Sequence, residues 1–313
     1  MKVILDVDTG IDDALALMQA VLWERTELKA VTCVAGNVDV DQVYANTKYI
    51  LEAINAPSIP VGKGAVRPLI EAHKEASHIH GVSGLGARQI PVDSLELNIN
   101  AIEILKKTIL EHPNEIVLVA LGPLTNIALF VRTYPEVARK VQSIVVMGGA
   151  IESGNATAVA EFNFWHDPEA AEIVLTSGLN IRLFPLDVFN QSRVSEEFMS
   201  HLESISTHAS KIAHELLKFA SMDEQANPFG MLGDAAALIC GLAPEFTQDE
   251  RMSTSINLSP GLGRGQSIFD RRTHIGEDQI HGELAEWQEI EVITSINFEK
   301  VAKLFIETMN KGS

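Results

Sequence analysis

The chain has 313 residues, 46% of them hydrophobic, so it can bury a sizeable core, and it reads as one domain over residues 1–313. Asp and Glu number 42 against 24 Lys and Arg, a formal charge of −18, which argues against a nucleic-acid partner or an anionic membrane surface. Two distant cysteines, Cys33 and Cys240, suggest neither a disulfide framework nor a Cys-rich zinc site; with no signal-like opening and no bilayer-length apolar stretch, a soluble cytoplasmic protein is expected.

In chain order, apolar runs predict strands at Val3–Asp8, Leu28–Ala35, Ile116–Leu121, Ser143–Met147 and Ile181–Phe184. Helical spacing predicts helices at Asp12–Leu22, Val40–Ile54, Ala101–Glu111, Leu124–Val131 and Pro168–Thr176. A long helix is expected over Glu196–Phe219, with Ser195 as its N-cap, and another from about Asp234. Strands near Ser253–Leu258, Gln266–Asp270 and Glu289–Thr294 precede a closing helix, Phe298–Met309. Strands nearly continuous in Val, Ile and Leu, alternating with helices, indicate an α/β fold with an open, mostly parallel central sheet flanked by helices.

Four acids crowd the first strand-to-helix junction, Asp6-Val7-Asp8-Thr9-Gly10-Ile11-Asp12-Asp13. Asp6 and Asp8 share a strand face, and Asp12 and Asp13 fall in the first helical turn. Capping explains at most two of them, and unpaired carboxylates this close repel one another, so a hard cation held by oxygen ligands is the first hypothesis. Ligands of open α/β sheets bind beyond the strands' carboxyl ends. Those ends here carry Ala35-Gly36-Asn37, Leu121-Gly122-Pro123-Leu124-Thr125-Asn126 and Met147-Gly148-Gly149. A second polar concentration runs from Gly154 to Pro168. Asp167 caps the following helix, whereas Asn155, Glu161 and Asn163 suit recognition of sugar hydroxyls. His201, His208 and His214 lack the spacing of a helical zinc pair, and His73, His78 and His80 cluster in a loop without suitable partners.

The opening acidic motif resembles that of the inosine–uridine-preferring nucleoside hydrolases. Val34-Ala35-Gly36-Asn37, His80 to Gly86, Leu121 to Asn126, Val146 to Ala150, Gly154-Asn155 through Glu161-Phe162-Asn163, and Gly265 to Arg272 match further family blocks in order, from about residue 3 to 310. The resemblance implies hydrolysis of the N-glycosidic bond of a ribonucleoside to free base and ribose, in nucleoside catabolism and purine or pyrimidine salvage. It implies Ca²⁺ held by Asp8, Asp13, the main-chain carbonyl of Leu121 and Asp234, with Asp8 also the general base. It further implies that Asp12 and Asn37 hold the ribose diol, that Asn155, Glu161 and Asn163 hold the 5′ side, that Met147 packs on the sugar, and that His80 lies near the base. A homodimer or homotetramer is implied as well.

The chain departs from that pattern at Met231-Leu232-Gly233-Asp234, where Gly233 replaces a His credited in many members with protonating the departing base, or a Trp that stacks on purines in others. Restoring His at 233 is expected to raise turnover if that acid is limiting. Two rival readings stand beside this one. One is a magnesium-dependent phosphatase with Asp6 as nucleophile; the other is a non-catalytic nucleoside- or ribose-binding protein.

Overall fold

The structure is a computed structural model that describes residues 1–93, 99–221, 230–281 and 287–312. Its strands are β1 Lys2–Val7, β2 Glu27–Cys33, β3 Val61–Lys63, β4 Ile99–Asn100, β5 Ile116–Ala120, β6 Ser143–Met147, β7 Ile181–Phe184, β8 Thr247–Ile256, β9 Ser267–Asp270 and β10 Gln288–Ile296. They join one sheet in the order β4-β3-β2-β1-β5-β6-β7-β10-β8-β9. Pairing is parallel from β4 through β7 to β10 and antiparallel at β10/β8 and β8/β9, so the sheet is mostly parallel, as the sequence indicates.

Alternate residues of β1 feed two cores. Val3, Leu5 and Val7 join the cluster under the helices Ile11–Leu22, His208–Ala220, Asp234–Leu242 and Phe298–Met309. Ile4 joins the cluster under Ala101–Glu111, Thr125–Thr133 and Pro168–Leu175 on the other face. Burial on both faces is why the inner strands are largely apolar, with Asp6 and Thr32 as a buried, mutually hydrogen-bonded exception. The chain winds outward from β1 to β4, then returns to add β5 on the other side of β1. That reversal makes the carboxyl ends of β1 and β5 a topological switch point, the place where open α/β sheets form a crevice and receive ligands.

Three predicted elements, Ser143–Met147, Ile181–Phe184 and Ala101–Glu111, have the expected bounds, as does the closing helix. One prediction fails. The segment Glu196–Phe219 is two helices, Glu196–Ser204 and His208–Ala220. Ile205 leaves the helix at φ −82°, ψ 129°, and Thr207 caps the second helix by accepting from the Ser210 N–H at 3.2 Å. Ser210 Oγ then donates to the Leu202 carbonyl at 2.6 Å, tying the two helices together. Ser195 caps the first, accepting from the Phe198 N–H at 3.1 Å. Among the described residues, no helix is long and apolar enough to cross a membrane.

Candidate active site

The acidic run occupies the crevice. The β1 strand ends at Val7, and the helix Ile11–Leu22 begins three residues past Asp8. Asp13 turns back over its own N-terminus: its Oδ2 accepts from the Gly10 N–H at 2.9 Å and its Oδ1 from the Asp8 N–H at 3.2 Å. Asn37, beyond the end of β2, donates its N–H to Asp8 Oδ2 at 2.8 Å. Its side-chain amide reaches the Asp8 carbonyl at 3.3 Å and Asp13 Oδ2 at 3.4 Å. The Asp8 carboxylate lies against the backbone turns after β2 and β5: a Cβ at Gly36 would come within 2.1 Å of Asp8 Oδ2, and one at Gly122 within 2.7 Å of Oδ1. The two glycines therefore permit a close approach that any other residue would block.

Asp234 opens the helix Asp234–Leu242, whose N-terminus favours a carboxylate. One oxygen from each of Asp12, Asp13 and Asp234 lies within 4.8 Å of the others. Asp8, Asp13 and Asp234 are 2%, 0% and 3% exposed, and among the described residues no Lys or Arg forms a salt bridge with them. Burial, and then repulsion from neighbouring carboxylates, pushes the Asp13 carboxyl up to about 7 and raises those of Asp8 and Asp234 well above the usual range. Asp12 Oδ1 is buried with no hydrogen-bond partner among the described residues. Carboxylates this close, buried and uncompensated, fit a cation with oxygen ligands. The tight trio includes Asp12; Asp8 adjoins it through Asp13 and Asn37.

The other sequence candidates fall around this cluster. The Leu121 carbonyl follows β5 and accepts from Asn163 Nδ2 at 2.8 Å, and the same amide reaches the Met147 carbonyl at 3.2 Å and its Sδ at 3.4 Å. Glu161 caps the helix Phe162–His166. Its Oε1 accepts from the Asn163 N–H at 2.8 Å, and its Oε2 from those of Gly149 at 2.9 Å and Phe164 at 3.1 Å. Burial nevertheless pushes its carboxyl up to about 7. Asn155 is exposed and accepts from the Phe162 N–H at 2.9 Å. His80 ends the short helix Ser77–His80. Its Nδ1 accepts from the Ile11 N–H at 3.2 Å and lies 3.7 Å from Asp12 Oδ1. An accepting Nδ1 leaves the proton on Nε2, and burial lowers the pKa of the ring against the pull of Asp12, so His80 is a neutral donor through Nε2.

Asp6 does not face the cluster as a reagent. It is fully buried, and its Oδ1 accepts from Thr32 Oγ1 at 2.5 Å and Asn126 Nδ2 at 2.8 Å. Burial pushes its carboxyl up to about 7. A covalent nucleophile needs access to substrate, and Asp6 has none, which removes the geometric basis of the phosphatase reading.

Several supports escape the sequence reading. Asn126 joins three strand ends, since it also donates to the Cys33 carbonyl at 3.0 Å and accepts from the Ala65 N–H at 2.8 Å. Asp187, just past β7, accepts from the Ile151 N–H at 2.6 Å and the Glu152 N–H at 3.1 Å, while Ser267 Oγ donates to the Ala150 carbonyl at 2.9 Å and accepts its N–H at 2.8 Å. Together they pin the loop that leads to Asn155. Reading the end of β7 as the other strand ends were read would have found Asp187. His73 leaves the expected histidine cluster and pairs instead with His166, Nδ1 to Nε2 at 3.1 Å.

Gly233 sits at φ +51°, ψ −115°, a conformation open essentially to glycine alone. A Cβ there would lie 2.8 Å from Cε2 and Cζ of Phe189 and 2.9 Å from the Asp12 Cβ. The expected gain from His at 233 is therefore corrected. Gly233→His should lower the melting temperature, with about 1–3 kcal/mol of backbone strain before any steric clash. It should also lower turnover; thermal unfolding and a rate assay of the variant check both.

The sequence profile described as "Inosine-uridine preferring nucleoside hydrolase" matches residues 3–303. The chain is 36% identical over 274 residues to a protein of Shewanella sp. (strain MR-7) named pyrimidine-specific ribonucleoside hydrolase RihA, covering 86% of each chain. It is 33% identical over 276 residues to the inosine-uridine preferring nucleoside hydrolase of Leishmania major, covering 87% of this chain and 88% of that one. Among solved structures it resembles a plant nucleoside hydrolase, PpNRh1, with a TM-score of 0.90 at 28% identity over 99% of this chain and 98% of that one. Whole-length agreement in sequence and in fold, over a crevice with this acidic junction, shows that the chain belongs to the inosine-uridine preferring nucleoside hydrolase family, enzymes that hydrolyse the N-glycosidic bond of ribonucleosides.

Proposed function

We propose that the chain is a calcium-dependent ribonucleoside hydrolase in which Asp8, Asp13, the Leu121 carbonyl and Asp234 hold the ion, with Asp12 beside them. The observation that carries this reading is the approach of the Asp12, Asp13 and Asp234 carboxylates to within 4.8 Å, without a compensating Lys or Arg among the described residues. A bound calcium ion supplies positive charge that offsets these carboxylates and lowers the pKa of a water.

Asp8 takes a proton from the attacking water, and the Asn37 N–H fixes the orientation of its carboxylate. Asp12 and Asn37 hold the ribose diol. Asn155, Glu161 and Asn163 serve the 5′ side, with Met147 against the sugar, and the Glu161 carboxylate holds the loop at Gly149 in place. Cleavage passes through an oxocarbenium-like sugar, which the surrounding carboxylates and amides stabilise. His80 presents its Nε2–H towards the base side. The same reading extends to a homodimer or homotetramer, which the family resemblance supports, acting in the cytoplasm.

A panel of purine and pyrimidine ribonucleosides, assayed for reducing sugar with calcium present, tests the function. Release of ribose from at least one member is expected; binding without release from any would sink the catalytic reading. Asp6→Asn separates the hydrolase from a phosphatase. As a buried near-isostere it should keep turnover within about tenfold, whereas loss of a covalent nucleophile would cost far more.

A further inference from the structure

Burial orders the residues of the crevice from floor to rim. Asp8, Asp13 and Asp234 are almost wholly buried, whereas the side chains of Asp12 and His80 are 18% and 12% exposed. Phe189, which ends the short helix Leu186–Phe189 just past β7, is half-buried and packs on the core. Its Cε2 and Cζ lie 2.8 Å from where a Cβ of residue 233 would stand, and the Asp12 Cβ lies 2.9 Å from the same point. The space a side chain at 233 would need is therefore taken, in this chain, by the ring of Phe189. Ser192 keeps the two segments in register: its Oγ accepts from the Gly233 N–H at 3.1 Å and its carbonyl from the Leu232 N–H at 3.0 Å.

We infer that Phe189 is a base-binding residue, its ring forming an apolar aromatic wall at the rim beside Asp12 against which the heteroaromatic base of the nucleoside packs. The inference rests on the hydrolase reading above, with the ribose on the acidic floor; a base joined to that ribose then projects towards the rim, where Phe189 and His80 both adjoin Asp12. Phe189 has a π-face and no ionisable proton. It supplies stacking at this wall, and it donates no proton to the departing base.

The test compares the unmodified protein with Phe189→Leu, Phe189→Ala and Phe189→Tyr, using the ribonucleosides that the unmodified protein turns over and free ribose as a competitive inhibitor. Leu keeps apolar packing against Gly233 and guards against a simple folding failure of the Ala variant. The expected result is a rise in KM for nucleosides of about fivefold to a hundredfold in Leu and Ala, the range that base–aromatic stacking supports. The inhibition constant of ribose should stay within about twofold, and Tyr should restore KM to within about threefold, since the sugar floor and the π-face are respectively untouched and retained. Unchanged nucleoside KM in the Leu variant would overturn the inference while leaving the hydrolase reading intact, and so would a parallel loss of ribose affinity, which marks mere structural support. Absence of turnover by the unmodified protein on every nucleoside would instead overturn the hydrolase reading and, with it, this inference.

Discussion

Asp8→Asn is expected to lower turnover by about two to four powers of ten, the usual contribution of a positioned general base. The replacement is close to isosteric. An amide oxygen at position 8 can still accept from the Asn37 N–H, and the crevice between Gly36 and Gly122 admits the same outline. The fold should therefore survive, and the loss should appear mainly in kcat, because the group removed acts on the proton of the attacking water. Calcium affinity, measured by titration calorimetry on the same variant, separates the two roles given to Asp8. A large fall in kcat with calcium still bound at saturation supports the base assignment. Activity surviving within about tenfold would defeat it, because no positioned base contributes so little.

Much of this site is legible in the sequence because the chemistry is local. Asp8, Asp12 and Asp13 lie on one strand-to-helix junction, and a parallel sheet obliges such junctions to converge at one edge. Asn37 and Leu121 follow from the same rule at the ends of β2 and β5. The supports are less legible because their partners are distant in the chain. Asn126 reaches Asp6 across 120 residues, and nothing near either one announces the bond. Phe189 could not be placed at the site, since only the backbone geometry at Gly233 shows whose ring fills the space there.

The fold divides in the same way. Buried central strands such as Ser143–Met147 have continuous apolar runs, whereas Val61–Lys63 and Ile99–Asn100 are too short to leave a pattern. The outer half of β8, from Thr247 to Arg251, is polar and mostly exposed or half-exposed, so it reads as loop. The false continuous helix over Glu196–Phe219 has a specific cause. Ile205 and Ile212 are seven residues apart, so the apolar stripe keeps its phase through the break at Ile205-Ser206-Thr207. Periodicity cannot detect an interruption that preserves phase; the Ser and Thr residues there were the available signal.

Removing calcium should destabilise the protein near neutral pH far more than in mild acid. In the metal-free protein the Asp13 carboxyl is pushed up to about 7, by burial and then by Asp12, and those of Asp8 and Asp234 are also raised, chiefly by burial and then by the neighbouring carboxylates, Asp12 and Asp13 among them. A carboxyl whose folded pKa is raised binds more protons folded than unfolded between its ordinary value and its raised one. Stability is thus present below that window and is lost as pH rises through it, at about 1.4 kcal/mol per pH unit for each such group. Calcium supplies at high pH the charge that protons supply at low pH, and at low pH the two compete for the same oxygens. The melting temperature of EGTA-treated protein should accordingly fall between pH 5 and pH 8, and calcium at about a hundred times its dissociation constant should add about 2.7 kcal/mol at pH 8, several degrees of melting temperature. The gain at pH 5 should be much smaller. Calcium should flatten the pH dependence without abolishing it, because Asp6 and Glu161, which also titrate at about 7, lie outside the proposed ligand set. Asp13→Asn should lose most of the calcium response while its metal-free form gains stability at pH 8, since one of the repelling charges is gone. An equal calcium-induced rise at both pH values would mean that the ion binds elsewhere than among these carboxylates.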